Sequence, residues 1–573
     1  MPKPLTWDAK GDPKTSNGPK VVKPRLSSTP TLPTPGGQPW RHLLRWHFAA
    51  LLAVIVFFGA IRWRLADMPL ERDEGEYAYA GQLILQGIPP YQLAYNMKLP
   101  GTYAAYAAIL AVFGQTARGI HLGLLFVNAV SVILLYVFTA RLFGTLAGAI
   151  AGASYALLSA HKSVLGFEAH ATHFIVLAAL IGLILLLRAE ETRRTAFFFW
   201  SGLAFGVAFL MKQPGILLGA FAFFYLAVQC WPQNEREWAP WAKKLAVFLL
   251  AGVLPFALTC ALIYRAGVFR SFWFWTFSYA RQYATIMTWS AGWDELTRHF
   301  TDLVIFAPWL WILALVGVST MFWDLSVRRR VASIFGLLVF SFAAACPGLY
   351  FRPHYFVLMM PAVSILIAVA VTSAIRLLTA KFTSRWLRAL PVLVFVAAWV
   401  LPIHSNGEFY FKLTPVQACH LFYSVDPFLE AAPVAQYLRQ HTASTDTIMV
   451  FGSEPEIYFY AHRHSASGYI YTYSLVEDQA YWPAMQQQMI QEVEANRPAY
   501  VVFVNNWYSW MAGTRSPQAA AALGTWMSQY ISNGFEETGR GELDDLESRP
   551  FWDDDPHGHP RPGPELLIYR RKG

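Results

Sequence analysis

The stretch 71–101 begins with a cluster of acids just after the first long apolar run of the chain. Asp73 and Glu74 are adjacent, and Glu76 follows two positions later. A carboxylate can act as a general base, and paired carboxylates can hold a divalent cation because hard cations prefer oxygen ligands. A structural role is equally compatible with this spacing, since an acid followed three residues later by Glu is typical of a helix capping box. The spacing leaves these alternatives open.

Two lysines in separate parts of the chain are candidate binding groups. Lys98 lies near the end of the same stretch, where its ammonium group could contact a phosphate or could extend to lipid headgroups. Lys212 lies in MKQPG between two apolar runs. A charge at such a place is costly unless it is at the surface or paired, so Lys212 is a candidate functional residue, with a plain turn as the alternative.

Glu168, His170 and His173 occupy a short polar segment, FEAHATHF, between two apolar runs. Histidine and glutamate at this spacing could ligate a metal, although loop histidines are more often hydrogen-bonded parts of the structure. We prefer the interpretation that these side chains form a polar wall of a cleft.

Arg352, His354 and Tyr355 lie in RPHY, immediately before a late apolar run. Arginine and histidine at a helix N-terminus can bind a phosphate together with the free backbone N–H groups. Anchoring at the membrane interface by the arginine and the tyrosine is the alternative.

The composition is that of a membrane protein. The chain has 573 residues, of which 55% are hydrophobic and 14% are charged, whereas soluble proteins carry about 25% charged residues. The net charge is +9, but no basic stripe interleaved with aromatic residues indicates a nucleic-acid partner. The four cysteines include no CxxC pair, so neither a zinc site nor a disulfide framework is expected.

Apolar runs that are long enough to span a membrane predict about eleven transmembrane helices. We expect them at residues 46–63, 119–140, 144–160, 171–187, 196–211, 215–231, 245–264, 303–323, 331–346, 355–375 and 390–403. Segment 102–113 is too short to span and is predicted to lie in the membrane interface as a helix. Lys and Arg are concentrated in every second loop, as at 328–330, which predicts a cytoplasmic N-terminus.

These patterns predict three regions. Residues 1–43 are rich in Pro and Lys and are expected to form a disordered cytoplasmic tail. Residues 44–403 form the membrane domain, with interfacial helices in its first outer loop. Residues 404–573 contain no further span. Apolar strands at 447–451, 500–504 and 566–569 alternate there with helices at 428–440 and 478–496, which indicates a soluble α/β domain.

The predicted fold class is therefore a polytopic α-helical membrane protein with a C-terminal soluble α/β domain. The chain is expected to be a multi-pass protein of a cell membrane, in the manner of the bacterial cytoplasmic membrane. An odd number of spans places the C-terminal domain on the periplasmic or extracellular side.

Three stretches resemble those of polytopic GT-C glycosyltransferases, in the superfamily of protein O-mannosyltransferases and aminoarabinose transferases that is similar to glycosyltransferase family 39. They are DEGEYAYAGQLILQGIPPY followed by MKLPG, then GLAFGVAFLMKQPG, and finally YFRPHYFVLMMPAVSIL. The resemblance covers roughly residues 45–405, and the combination is more specific than any one stretch. Leu99 departs from the pattern, because the family often has proline there.

The resemblance implies a GT-C fold for the membrane domain and a set of functional residues. In that family the aspartate of the first outer loop is taken as the catalytic base, which corresponds to Asp73. The cationic residues around the donor phosphate correspond to Lys98, Lys212, Arg352 and His354. The C-terminal domain carries no motif of the family, so the resemblance implies nothing about the acceptor.

The sequence thus predicts a hexosyl- or pentosyltransferase that moves a sugar from a polyprenyl-phosphate carrier to an acceptor on the outer face of the membrane, with inversion. Asp73 is the predicted base, and Glu74 is a backup base or an orienting partner. The side chains expected in the substrate cleft are Tyr77, Glu168, His170 and Tyr355. The expected partners are the lipid-linked donor, membrane lipids, and an acceptor lipid, glycan or protein. No metal or cofactor is indicated, although a divalent cation is compatible with the acids.

The alternative function is a transporter or flippase of a lipid-linked sugar. Such a protein is expected to carry ionisable groups at mid-membrane, with broken helices around them. The charges of this chain cluster instead at the predicted outer ends of the helices, so transport ranks second. A membrane anchor without catalysis is a third and weaker alternative, because it leaves the Asp73–Lys98 group without a role.

Overall fold

A computed structural model describes residues 39–423, 426–510, 516–543, 551–552 and 565–573. Almost all of the tail predicted at 1–43 lies outside the described residues, so its disorder stays a prediction. The described part of the chain is mostly helical and has one small sheet in its C-terminal region.

Helices account for nearly all of the described chain before residue 406. They are α1 (Pro39–Arg64), α2 (Arg72–Leu85), α3 (Pro100–Phe113), α4 (Ala117–Phe143), α5 (Thr145–Leu158), α6 (Ala171–Thr192), α7 (Thr195–Met211), α8 (Gly215–Gln229), α9 (Trp238–Arg265), α10 (Phe269–Trp273), α11 (Ala280–Tyr283), α12 (Trp289–Phe306), α13 (Pro308–Trp323), α14 (Leu325–Arg328), α15 (Val331–Ala343), α16 (Met360–Lys381) and α17 (Arg385–Ser405). A 3-10 helix, Pro353–Met359, leads directly into α16.

Within the described residues, six helices are long and apolar enough to cross a membrane, or seven if the bent pair α12–α13 counts as one span. Each predicted span other than 303–323 overlaps one helix among α1, α4–α9 and α15–α17. Several of these helices have only 10–17 residues. The count of about eleven spans and the orientation of the chain therefore stay predictions.

The continuous span predicted at 303–323 is wrong, because the chain bends by 101° between α12 and α13. Ala307 at the bend has φ −140° and ψ 60°, and Pro308 is the first residue of α13. Proline cannot donate a helical hydrogen bond and disfavours helical geometry in the residue before it. The break is thus encoded locally by this proline.

The segment between α1 and α4, which is predicted to be the first outer loop, contains two helices, as predicted. Helix α2 is followed by Gly87, whose positive φ of 83° favours glycine. Pro100 opens α3, because a first helical residue needs no N–H partner. The capping box considered for Asp73 and Glu76 is not formed: Glu71 is the N-cap of α2, and its carboxylate accepts the Glu74 N–H at 2.9 Å. The placement of α3 in the membrane interface stays a prediction.

The C-terminal region adds a mixed sheet flanked by helices. Its elements are α18 (Gly407–Phe411), α19 (Pro415–Tyr423), α20 (Phe428–Gln440), β1 (Thr447–Phe451), α21 (Glu456–Ala461), β2 (His464–Ser465), α22 (Tyr473–Val476), α23 (Trp482–Asn496), β3 (Tyr500–Asn505), α24 (Pro517–Gly534), β4 (Phe535–Glu542), β5 (Phe551–Trp552) and β6 (Glu565–Arg571). The strand order is β2-β1-β3-β6-β4-β5. Strands β2, β1 and β3 are parallel, and the other pairings are antiparallel.

The predicted α/β character of this region is confirmed, with α20 and β1 at their predicted bounds. Helix α24 and strands β2, β4 and β5 were not predicted. Helix α2 and the C-terminal region share one apolar core, in which Tyr77 and Tyr79 lie with residues such as Val450 and Ile457. The first outer loop is therefore packed between the membrane helices and the C-terminal region.

Candidate active site

Asp73 and Lys98 form the centre of the site. Lys98 Nζ donates to Asp73 Oδ2 at 3.0 Å and to the hydroxyl of Tyr77 at 3.1 Å, and it lies 4.0 Å from Glu76 Oε2. Asp73 lies in the first turn of α2, while Lys98 is separated from the start of α3 by one residue, Leu99. The two helices pack on each other, so residues that are distant in sequence become an ion pair.

Burial and charge set the ionisation of this pair. Burial works to raise the pKa of Asp73, but the Lys98 ammonium outweighs it and holds that pKa well below its ordinary value. Burial alone would lower the pKa of Lys98, but Asp73 and Glu76 outweigh it and raise that pKa. Burial raises the pKa of Glu76 to about 7, against the opposing effect of Lys98. At neutral pH the centre therefore holds an ionised aspartate and an ionised lysine.

Lys212 and His354 come from distant elements and lie side by side. Lys212 Nζ is 3.5 Å from His354 Nε2 and lies over the ring of Tyr355, 4.2 Å from its centroid. The turn after α7 that carries Lys212 is fixed next to Lys98, since the Gln213 side chain donates to the Met97 carbonyl at 2.7 Å. Burial and the Lys98 ammonium lower the pKa of Lys212 to about 7.

His170 connects these two groups. It is the N-cap of α6, and its Nδ1 atom lies 3.9 Å from Asp73 Oδ2. Its ring stacks on that of His354, with centroids 3.9 Å apart and planes inclined by 14°. Both His170 ring nitrogens are buried without a hydrogen-bond partner among the described residues. Burial lowers the pKa of His170 to about 4, so the imidazole is neutral at physiological pH.

These groups line one cavity of about 360 Å³. Seven of the residues predicted from sequence line it, namely Asp73, Lys98, His170, Lys212, Arg352, His354 and Tyr355. Arg352 lies 5.6 Å from the ring centroid of Tyr350, which is also part of the wall. The cavity thus combines two carboxylates with four basic side chains, namely Glu71, Asp73, Arg72, Lys98, Lys212 and Arg352. This combination suits an anionic ligand beside a group that gives up a proton.

Glu74, Tyr77 and Glu168 are absent from the described cavity wall, and their predicted position in the cleft is corrected. Glu74 points away from Asp73. Its Oε1 atom accepts the Ala169 N–H at 2.6 Å and lies 3.2 Å from His121 Nε2. Successive residues of a helix point in different directions, so adjacent acids do not share one face.

Glu168 and Tyr77 lie behind the wall. Glu168 is fully buried and accepts from the Tyr423 hydroxyl at 3.4 Å, and burial raises its pKa to about 8. Tyr77 is also fully buried, and it reaches the site through its hydroxyl contact with Lys98. These two residues support the cavity from outside it.

Sequence reasoning missed several wall residues. Glu71 was read only as the start of the acidic stretch, although its carboxylate lies 3.8 Å from His170 Nδ1. Tyr423, Tyr471 and Tyr473 come from the C-terminal region, which carries no familiar motif. The tyrosine alternation in YIYTY was the available signal, but nothing in the sequence relates it to α2.

Asp73, His170 and His354 could hold a metal by distance, since one potential ligand atom from each lies within 4.8 Å of the others. Two ammonium groups oppose this, because Lys98 lies 3.0 Å from Asp73 and Lys212 lies 3.5 Å from His354. Like charges disfavour a divalent cation at such distances. The arrangement fits an anion better than a metal, and the absence of a metal requirement stays a prediction.

Part of the sequence is similar to known proteins. Residues 98–258 match the sequence model of the family described as dolichyl-phosphate-mannose-protein mannosyltransferase. The chain is 28% identical over 264 residues to an undecaprenyl phosphate-alpha-4-amino-4-deoxy-L-arabinose arabinosyl transferase of Pseudomonas aeruginosa (strain LESB58). That match covers 44% of this chain and 44% of the relative, so it spans less than half of the relative's length.

Two solved structures are similar over most of the chain. ArnT from Cupriavidus metallidurans bound to undecaprenyl phosphate has a TM-score of 0.51 at 18% identity, covering 83% of this chain and 95% of its own. The oligosaccharyltransferase AglB from Archaeoglobus fulgidus, in complex with an inhibitory peptide and a dolichol-phosphate, has a TM-score of 0.52 at 13% identity, covering 92% of this chain and 76% of its own. The chain therefore shares the fold of these two proteins, which supports the GT-C fold implied by the sequence resemblance.

Proposed function

We propose that this protein is an inverting glycosyltransferase that moves a sugar from a polyprenyl-phosphate carrier to an acceptor on the outer face of a membrane. The observation that carries the proposal is the meeting of Asp73 with Lys98, Lys212 and Arg352 around one cavity. The descriptions of the similar proteins name dolichyl or undecaprenyl phosphate, which supports a lipid-linked donor.

In this proposal the cationic residues bind the phosphate of the donor. Lys98, Lys212, Arg352 and His354 come from separate elements and line the same cavity. As the bond between sugar and phosphate breaks, negative charge develops on the departing phosphate oxygen. Cations that are already in place stabilise that charge without reorganisation.

Asp73 is the proposed general base. The acceptor hydroxyl or amine attacks the anomeric carbon, its proton passes to Asp73, and polyprenyl phosphate leaves with the bonding electrons. A depressed pKa keeps the Asp73 carboxylate ionised before the reaction, so it is available to accept the proton. A single displacement of this kind inverts the anomeric centre.

The test is reconstitution of the purified protein in liposomes with labelled donors, either a polyprenyl-phosphate hexose or pentose or the corresponding nucleotide sugar. A membrane extract supplies acceptors, and label is followed into lipid, glycan and protein fractions. We expect transfer and release of free polyprenyl phosphate with the lipid donor, and neither with Asp73→Asn.

Efficient transfer from the nucleotide sugar without any lipid carrier would contradict the proposal. Movement of the lipid donor between leaflets with its phosphate bond intact would instead support a flippase. The release of free polyprenyl phosphate separates the two functions, because transport leaves the carrier bond unbroken.

A further inference from the structure

The C-terminal domain binds the side chain of Arg72, the residue that precedes Asp73. Arg72 Nε donates to the Ser453 carbonyl at 2.8 Å, and its Nη2 atom lies 3.0 Å from Asp426 Oδ1 and 3.5 Å from Glu454 Oε1. All three partners belong to the C-terminal domain, and Ser453 and Glu454 lie two and three residues beyond the end of β1. Two charge-assisted contacts and one backbone hydrogen bond therefore hold a single side chain of α2.

The same domain also contacts the residues that follow Asp73. The Tyr471 hydroxyl lies 2.9 Å from the Arg72 carbonyl and 3.1 Å from Glu76 Oε2. Gly75 packs so closely on α21 that a Cβ atom there would lie 2.6 Å from the Glu456 nitrogen. Only glycine permits this approach of the two backbones.

Asp73 lies between these bound residues, but its own side chain contacts other parts of the chain. They go to Lys98, Tyr77 and His170, which belong to the first outer loop and to α6. The C-terminal region thus holds the backbone on both sides of Asp73, and the Asp73 carboxylate faces a cavity that several elements line together.

We infer that the C-terminal domain positions the proposed base, with Arg72 and Tyr471 as the positioning residues. This inference rests on the proposed function for its catalytic consequence. A displacement of the Asp73 carboxylate by about 1 Å would lower turnover by as much as about 100-fold, because proton transfer requires close alignment. Arg72 and Tyr471 also line the cavity, but Lys98, Lys212 and Arg352 come from other elements, so turnover should change more than binding of the donor.

The experiment uses the full chain in liposomes and compares two variants with two matched controls. Arg72→Gln removes the charge, and Tyr471→Phe removes one hydroxyl but keeps the ring. Tyr469→Phe is the control for the second variant, since the buried Tyr469 hydroxyl bonds to Gln488 within the C-terminal domain. Arg118→Gln is the control for the first, because Arg118 forms an exposed ion pair with Asp67.

We expect kcat to fall about 10- to 100-fold in Arg72→Gln and several-fold in Tyr471→Phe, with a smaller change in the donor KM. Hydrogen exchange at the amides of residues 73–77 should become faster in both variants and stay at the wild-type rate in both controls. Asp426→Asn should lower kcat as well, and combining it with Arg72→Gln should add little, because the two residues act through one contact.

Unchanged turnover and unchanged exchange in Tyr471→Phe and Arg72→Gln would overturn the inference, as would an equal loss of kcat and donor binding. If Arg72→Gln fails to fold, Tyr471→Phe decides alone, since it changes a single atom. If the wild type transfers no sugar, the proposed function fails, while faster exchange at 73–77 would still show that the domain fixes this turn.

Discussion

Asp73 and Glu74 are neighbours on one helical turn, yet they face two different environments. Asp73 is ionised beside Lys98 and lines a cavity. Glu74 is fully buried on the opposite side, where it accepts the Ala169 N–H and contacts His121. One carboxylate is open to a ligand, and the other is used up by internal contacts. Adjacency of acids in a sequence therefore does not indicate a shared chemical role.

The Glu74 side of this helical turn nevertheless supports the Asp73 side. The Glu74 carboxylate accepts the Ala169 N–H, and the Tyr106 hydroxyl donates to the Ala169 carbonyl at 2.9 Å. The next residue is His170, which faces Asp73. The two sides thus differ in mechanism: one is proposed to react, and the other holds a wall of the cavity.

The largest effect is expected for Asp73→Asn, which should lower kcat by about 10²- to 10⁴-fold, the usual range for loss of a general base. The amide cannot accept the proton, but it has nearly the same shape. Label transfer in liposomes measures the loss, and a melting temperature close to that of the wild type serves as the control. Retention of a tenth of the activity would assign the base elsewhere.

Lys98→Ala should have the next largest effect. It removes a cation that contacts the Asp73 carboxylate and lines the proposed phosphate site. A charge-assisted hydrogen bond is worth about 1.5–3 kcal/mol, so kcat/KM for the lipid donor should fall roughly 10- to 150-fold. Steady-state kinetics with Lys98→Arg as a charge-retaining comparison checks this, and an unchanged kcat/KM would remove Lys98 from the donor site.

Glu74→Gln should be milder and should mainly affect stability. The amide oxygen can still accept the Ala169 N–H, but the charge beside His121 is lost, so we expect a cost of about 1 kcal/mol in the free energy of unfolding. Activity should stay within about tenfold of the wild type, since Asp73 is untouched. A loss as large as that of Asp73→Asn would erase the distinction between the two sides.

The pH dependence of donor binding sharpens the description of the cationic wall. Lys212 loses its charge as the pH rises through its pKa of about 7. The donor KM should therefore increase several-fold between about pH 6 and about pH 8.5. Lys212→Arg keeps its charge over this range and should flatten the profile. Glu76 also ionises near pH 7, so a profile that stays steep in Lys212→Arg would assign the titration to Glu76.

The smallest effect is expected from metal removal. Asp73, His170 and His354 are close enough to bind a cation, but two lysines already lie beside them. Treatment with a chelator, followed by dialysis, should leave transfer unchanged within error. If activity is lost and added divalent cations restore it, a metal must take the role assigned to the two ammonium groups.

The main divisions of the fold could be read from the sequence, because they depend on local patterns. The length of an apolar run does not depend on what packs against it. Gly87 after α2 and Pro100 at the start of α3 likewise act through local backbone geometry. The break at Ala307 was missed although Pro308 signals it, because the apolar run continues through the bend. The capping residue was misplaced because acids at positions 71 and 73 both fit an N-cap, and only backbone geometry decides between them.

The identities of Asp73, Lys98 and Lys212 as candidate groups followed from residue type, since a charge beside an apolar run is costly without a purpose. Which side of α2 each acid occupies depended on helical rotation relative to α6 and to the C-terminal domain. The sequence could not place Arg72 and Tyr471 together, because 399 positions separate them and no periodic pattern links the loop before α22 to a distant helix. Only tertiary packing brings them to one turn, where burial and close contact give neighbouring acids different environments.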